Sequence, residues 1–483
     1  MKKLITSVMA ALTMALAVVP VTQVRAESNN ALSANVRNFT LPNVLPEMQQ
    51  ADFWVAKTFD PDRVLMTSVQ IQAFNGKIQA ALPNTVFDLT TFPTSLSREE
   101  LHKKITPVPL PEDTLYVEGK AINKAYFQKA TKRMSLESMK KNNPVAYAFT
   151  IKRSSLGAYP TTDRITDEQE DKIYDWNLQT TIGPAEPILV LYQNQAKDWA
   201  FVQYYNYAGW MPTANLAIAS NRDEWLEYIK ADRFLVVTGG KLSLGPNPLW
   251  PERSDYELVM GTKLPLVDAE KATAIVDYQS AAGNYQVSIP VRDKAGKLSF
   301  RIALIPFSAD VSEGYPPYTR ANILRQVFKL QGERYGWGGL FHSWDCSSLV
   351  MDVFRSFGFN LPRNTDEQEK VPGKTLQLTQ VQKTKRNNLL ATLNPGTLLY
   401  LPGHTMIYLG TFQGRPYVIS AVGSVGDPTR PNPDGVTLPK IPIYGIVVSD
   451  LTLSRKKVDL DWLTALTSAN EITDTEGVNR KLK

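Results

Sequence analysis

The chain has 483 residues, too many for a single core; at roughly 100 to 200 residues per domain it fits three or four folded units. With 43% hydrophobic, 10% aromatic and 21% charged residues it has the composition of a packed globular protein, which excludes a disordered, collagen-like or multi-span membrane chain. The formal net charge of +6 includes Lys2, Lys3 and Arg25 of a segment expected to be removed, so the remainder is too weakly basic to imply nucleic acid as a partner.

The chain opens with Lys2-Lys3, an apolar stretch from Leu4 to Val19, Pro20, and Val24-Arg25-Ala26 before Glu27, a tripartite pattern that predicts a secretory signal peptide over 1–26. About 20 continuous apolar residues are needed to span a bilayer. Thr6, Ser7 and Thr13 interrupt this stretch, and no later one approaches the length, so no membrane association is expected after cleavage. Cys346 is the only cysteine, which leaves no intramolecular disulfide and no thiol just after the signal segment for a lipid anchor. The expected location is therefore exported, periplasmic or secreted. A lone thiol in an oxidising compartment is exposed to oxidation without forming a bridge, and it is either a small buried hydrophobe or a reactive group.

Residues 27–112 read as a helical N-terminal segment. Met48, Phe53, Trp54 and Val55 are followed by Val64, Leu65 and Val69, and Ser97-Arg98-Glu99-Glu100 has the form of a helix cap. Over 113–222 the signal changes to short β runs, at Ala146 to Ile151, Ile188 to Tyr192 and Trp199 to Tyr207, which predict a small barrel. A second β block over 223–305 contains Phe234 to Val237, Leu258 to Met260, Leu264 to Val267 and a hairpin pattern, Tyr285 to Val291 and Leu298 to Leu304 around Asp293-Lys294-Ala295-Gly296; it predicts another barrel. Residues 306–467 are mixed: helices over Arg320 to Leu330 and Cys346 to Phe357, strands over Thr397 to Leu401, Thr405 to Leu409, Tyr417 to Ala421 and Ile443 to Val448. The polar segment 468–483 reads as a loose tail.

The chemistry is concentrated in Tyr335-Gly336-Trp337-Gly338-Gly339 and Asp345-Cys346-Ser347-Ser348. Asp345 is a good N-cap, and Leu349, Val350, Val353, Phe354 and Phe357 recur at helical spacing before Gly358. Cys346 thus falls in the first turn of a helix, where the positive end of the dipole favours a thiolate. A metal site would need ligand partners, and the chain offers only His102, His342 and His404 with no second cysteine, so no metal or other cofactor is expected. A nucleophilic cysteine needs a histidine base. His404, in Pro402-Gly403-His404-Thr405 at the mouth of an apolar strand, is the better placed; His342 reads as a loop residue and His102 as a surface one.

Tyr-Gly-Trp-Gly-Gly, Asp-Cys-Ser-Ser and a later Gly-His before an apolar strand resemble the motifs of the NlpC family of papain-like cysteine peptidases, over about Ala321 to Val448. The resemblance implies a multidomain α+β chain, with two small SH3-like β-barrels followed by a papain-like α+β peptidase domain. It implies Cys346 as nucleophile, His404 as general base, and Tyr335 with the Cys346 backbone N–H stabilising the oxyanion. Asp345, Ser347 and Trp337 would contact substrate, Asp345 holding the free amino group of an N-terminal L-alanine. The barrel beside the catalytic domain would narrow one end of the cleft, with Tyr159, Asp175 and Trp176 as candidates. Family members usually carry a third polar residue, often histidine, on the strand after the base; here Ser420 stands there, a weaker support for an imidazolium. The implied substrate is peptidoglycan or its murein peptides, cut between D-glutamate and a diamino acid. A catalytically weakened wall-binding protein is the second reading, an acyltransferase using the same cysteine the third. The sequence leaves the oligomeric state open.

Overall fold

The computed structural model describes residues 40–105, 113–251, 254 and 256–474, so the expected signal segment lies outside the described residues. None of the described helices is long and apolar enough to cross a membrane.

The N-terminal segment is helical as expected, with α1 over Ser68–Ala81 and α2 over Arg98–Lys104. Both begin with a capping box, Thr67 with Gln70 and Ser97 with Glu100, each satisfying backbone N–H groups that a helix start leaves open. Val64–Met66, by contrast, is a strand paired with Tyr318–Thr319. Buried Trp54 donates its indole N–H to the Met48 carbonyl (2.9 Å) and lies 5.4 Å from the Tyr417 ring, so this segment is clamped to the C-terminal part of the chain.

The block after residue 113 contains a helix that its β-like texture conceals, α3 over Lys124–Met134. Phe127, Ala130 and Met134 are its buried residues, with Tyr126 packed beside them, and the rest of its surface is polar or charged. Seven strands of one sheet follow: β1 (Ala146–Thr150), β2 (Ser154–Gly157), β3 (Leu178–Ile182), β4 (Pro187–Gln193), β5 (Trp199–Tyr204), β6 (Tyr207–Pro212) and β7 (Leu216–Ile218). They hydrogen-bond in the order β7-β1-β4-β5-β6-β2-β3, and the apolar run of β4 and β5 is wholly or almost wholly buried.

The second block has its own core of Leu235, Val237, Leu258, Leu264, Val287, Ile289 and Ile305. Strand β8 (Phe234–Val237) pairs with Lys263–Pro265 and Val311–Glu313, and a long hairpin joins β9 (Asn284–Arg292) to β10 (Leu298–Pro306). Val311–Glu313 lies beyond the boundary expected at 305 yet pairs with β8, and Val311 packs against this block's core.

The C-terminal unit places α4 (Arg320–Phe328) and α5 (Cys346–Arg355) against six strands: β11 (Lys374–Gln377), β12 (Leu398–Leu401), β13 (His404–Phe412), β14 (Arg415–Gly426), β15 (Lys440–Asp450) and β16 (Ser468–Glu471). Their order is β11-β16-β12-β13-β14-β15. The expected loose tail over 468–483 is thus corrected at its start, where β16 sits inside the sheet. Its polar side chains are buried, Ser468 donating to Glu369 and the Asn470 amide donating to the Val371 carbonyl while Asn470 Oδ1 finds no protein donor, so burial leaves no apolar pattern to read.

An interior ion cluster ties the units together. Arg355, in α5, donates to the Glu186 carboxylate (2.7 Å) and Tyr204 hydroxyl (2.8 Å) of the first barrel and to the Met260 carbonyl (3.0 Å) of the second block.

Candidate active site

Cys346 opens α5 behind Asp345, whose side chain accepts the Ser348 N–H (2.9 Å) as an N-cap, as its sequence pattern predicts. Arg363 then grips the same carboxylate through Nη2 (2.6 Å) and Nη1 (3.2 Å), while the Gly338 N–H (2.9 Å) and the Ser347 hydroxyl (3.3 Å) also donate to it. Asp345 is therefore half of a buried ion pair with its lone pairs occupied, which weakens the implied role of holding a substrate amine. Burial alone would raise its pKa, but the Arg363 guanidinium and the Ser348 donors keep it below the ordinary carboxylate value.

The glycines of the Tyr335-to-Gly339 motif have a steric purpose. Gly338 and Gly339 take φ of +60° and +97°, and a Cβ at Gly339 would stand 1.9 Å from the Thr181 hydroxyl of β3. Without side chains the loop lies directly on the barrel. Trp337 donates its indole N–H to the Asp175 carbonyl (3.1 Å) and packs edge-on to Tyr174, with ring centroids 5.4 Å apart.

His404 begins β13, after Gly403 at φ +72° turns the chain. Its Nε2 lies 3.1 Å from the Ser420 hydroxyl of β14, and its ring packs 5.0 Å from Trp462. The next residue, Thr405, turns its backbone N–H to the Cys346 sulfur, and the Thr365 hydroxyl lies 3.8 Å from that sulfur on the other flank. Cys346, His404, Tyr335, Trp337, Asp345 and Ser347 all line one cleft of about 860 Å³. Asp175 and Trp176 also reach this cleft from the barrel. Tyr159 does not: it is buried against Phe127, with ring centroids 5.5 Å apart. His342 is outside the cleft, exposed and 3.0 Å from Glu257, and His102 is exposed on α2. Among the described residues no group of three His, Cys, Asp or Glu side chains is arranged to hold a metal ion.

The electrostatics correct one expectation. Burial, and then the Asp345 charge, raise the Cys346 thiol above its ordinary value, outweighing the Thr405 N–H, the Thr365 hydroxyl and the Arg363 guanidinium. Burial and the Arg455 guanidinium lower His404 to about 3, with Asp345 opposing. Both shifts favour thiol and neutral imidazole over thiolate and imidazolium. Iodoacetamide is expected to label Cys346 slowly at pH 7, accelerating only above the usual thiol range near ~8.5. Labelling rates against pH check this; rapid alkylation at pH 6 would show a preformed ion pair instead. Burial also raises Tyr335, keeping its hydroxyl a neutral donor at the cleft floor.

A family model described as the NlpC/P60 family matches residues 332–417, the span from the glycine-rich loop through α5 to β14. The chain carries an NlpC/P60 domain. NlpC/P60 is a cysteine peptidase family, in keeping with the thiol and imidazole that this domain brings to its cleft. An SH3 domain model of the SH3b1 type matches 163–212, within the first barrel. Among solved structures, an NlpC/P60 endopeptidase from Photobacterium damselae subsp. piscicida is 16% identical, covers 89% of this chain and 98% of its own, and superimposes with a TM-score of 0.69. An NlpC/P60 family protein from Bacillus cereus is also 16% identical, covers 68% of this chain and 99% of its own, and has a TM-score of 0.44. No curated protein matches the chain.

Sequence reasoning missed several cleft residues: Arg363, Thr365, Trp462 and Arg455. Arg363 follows Leu361-Pro362, an extended dipeptide after the helix stop, and could have been suspected as the partner of a buried Asp345. Trp462 and Arg455 lie more than fifty residues beyond His404 and carry no local signal.

Proposed function

We propose that the chain is an exported cysteine endopeptidase that hydrolyses the bond between the γ-carboxyl of D-glutamate and a diamino acid in peptidoglycan-derived peptides bearing a free N-terminal L-alanine. The observation that supports it is the sharing of one cleft by a helix-start thiol and a strand-start imidazole inside an NlpC/P60 domain. His404 takes the Cys346 proton as the sulfur attacks the carbonyl carbon. The developing oxyanion faces the Tyr335 hydroxyl and the Cys346 N–H. The imidazolium then protonates the departing amine, the C–N bond breaks and a thioester remains. Water, deprotonated by His404, attacks the thioester and releases the carboxylate and the thiol. Asp345, Ser347 and Trp337 frame the acyl side of the cleft, and the Tyr174-to-Trp176 wall of the barrel limits what fits there.

Incubation with L-Ala-γ-D-Glu-diaminopimelate should release free diaminopimelate, and intact protein that releases none would reject the reading. One observation favours a weaker catalyst: the hydrogen-bond partner of His404 Nε2 is a serine hydroxyl, not a charged or aromatic-ring group. Ser420→Ala should lower kcat about fivefold with KM unchanged, the worth of one hydrogen bond of about 1 kcal/mol. An unaltered kcat would show that Ser420 does not orient the base. If the chain binds murein without cutting any peptide, the wall-binding reading replaces the enzymatic one.

A further inference from the structure

A half-buried cation stands in the cleft wall with nothing to neutralise it. Arg455 lines the cleft and gives Nη2 to the Pro402 carbonyl at 2.9 Å, two residues before the base. Among the described residues Arg455 forms no ion pair, and burial lowers its pKa. Lys440, on the same rim, is by contrast bridged to Glu168 of the barrel at 3.3 Å.

The position is built rather than incidental. Arg455 sits in a hairpin closed by its own N–H to the Leu460 carbonyl (2.7 Å), and the Ser454 carbonyl accepts the Gly426 N–H of β14 (2.9 Å). A Cβ at residue 426 would lie 2.0 Å from the Arg455 carbonyl oxygen, so glycine there is what lets the hairpin seat. The result is also unfavourable for catalysis as it stands. A guanidinium beside His404 opposes the imidazolium that the reaction must form. An anion arriving with the substrate removes that opposition, and only when a substrate is present.

The side of the cleft follows from the chemistry. His404 must hand its proton to the leaving nitrogen, and Arg455 is fixed through Pro402 on the approach to His404, whereas the sulfur is met through Thr405. We propose that Arg455 is a specificity residue that binds a carboxylate carried by the residue on the amine side of the scissile bond. The assignment rests on the hydrolase reading above and deepens it. A diamino acid with two carboxyl groups, such as diaminopimelate, satisfies Arg455, whereas lysine or an amidated diaminopimelate satisfies it less well.

Binding to Cys346→Ala, read by calorimetry, tests this without turnover. Three peptides are compared: L-Ala-γ-D-Glu-diaminopimelate, the same peptide with the diaminopimelate carboxylates amidated, and the same peptide with the D-glutamate α-carboxylate amidated. Amidating the diaminopimelate should weaken binding about tenfold to a hundredfold. Adding Arg455→Met should bring the free acid down to the level of that amide and leave the amide unchanged, with Arg455→Lys intermediate. Equal binding of acid and diaminopimelate amide, sensitivity to the D-glutamate amide alone, or a difference that survives Arg455→Met would each overturn the assignment. The peptide comparison requires no arginine variant, so a folding defect cannot obscure it. Turnover by the unsubstituted chain is read separately: binding selectivity without cleavage rejects the hydrolase reading and retains the carboxylate site, whereas cleavage without selectivity does the reverse.

Discussion

Cys346→Ala should abolish release of diaminopimelate from L-Ala-γ-D-Glu-diaminopimelate, by roughly ten-thousandfold or more, and His404→Ala should cost nearly as much. Neither group has a substitute. No second thiol exists in the chain, and among the described histidines His342 and His102 lie outside the cleft. Because nucleophile and base act as a unit, the double variant should be scarcely slower than either single one. The folded state should survive: Cys346 is a small side chain after an intact N-cap, and alanine preserves the helix start. Activity assays beside circular dichroism check both halves. Cleavage by Cys346→Ala within tenfold of the parent chain would remove the thiol from the chemistry altogether.

Arg355→Met should be the most damaging change to stability, by about 3 to 5 kcal/mol, the usual cost of leaving buried charge without its partner. Glu186 would keep the Tyr204 and Thr262 hydroxyls as donors but lose its cation, the Tyr204 hydroxyl would lose the Arg355 donor, and Asp352, 3.6 Å from the Arg355 Nε, would lose its ion-pair partner. Isosteric removal of both charges should be gentler, so Glu186→Gln added to Arg355→Met should recover part of the loss. Denaturant midpoints of the single and double variants give the comparison, with limited proteolysis showing whether the barrel loosens from α5 first. Unchanged midpoints in Arg355→Met would mean that water or relaxed packing replaces the cluster without cost.

What could be read from the chain was what local physics encodes. Asp345 before an apolar helix, Ser97 with Glu100, and the alternating hairpin around Asp293-to-Gly296 each carry their signal within a few residues, and each element forms. The thiol and the imidazole, 58 positions apart, were united by motif rather than by periodicity. Features decided by distant partners stayed hidden. Helix Lys124–Met134 shows too little apolar surface to announce itself, and strand Ser468–Glu471 buries polar groups, two of them bonded to Glu369 and the Val371 carbonyl. The helix dipole at Cys346 pointed toward an acidic thiol. Burial and the neighbouring carboxylate, neither visible in a one-dimensional string, reversed that direction.

Gly338 and Gly339, bare against Leu178 and Thr181, have an architectural consequence. The chain looks like a string of exchangeable parts, but the groove in which its reaction is placed is a joint property of two of them. Excising the papain-like portion would strip one bank from that groove, and grafting a foreign barrel would succeed only if its corresponding strand left the same hollow for a loop without side chains. Such a contact ties the history of the two modules together: changes on either bank are acceptable only when the other bank accommodates them.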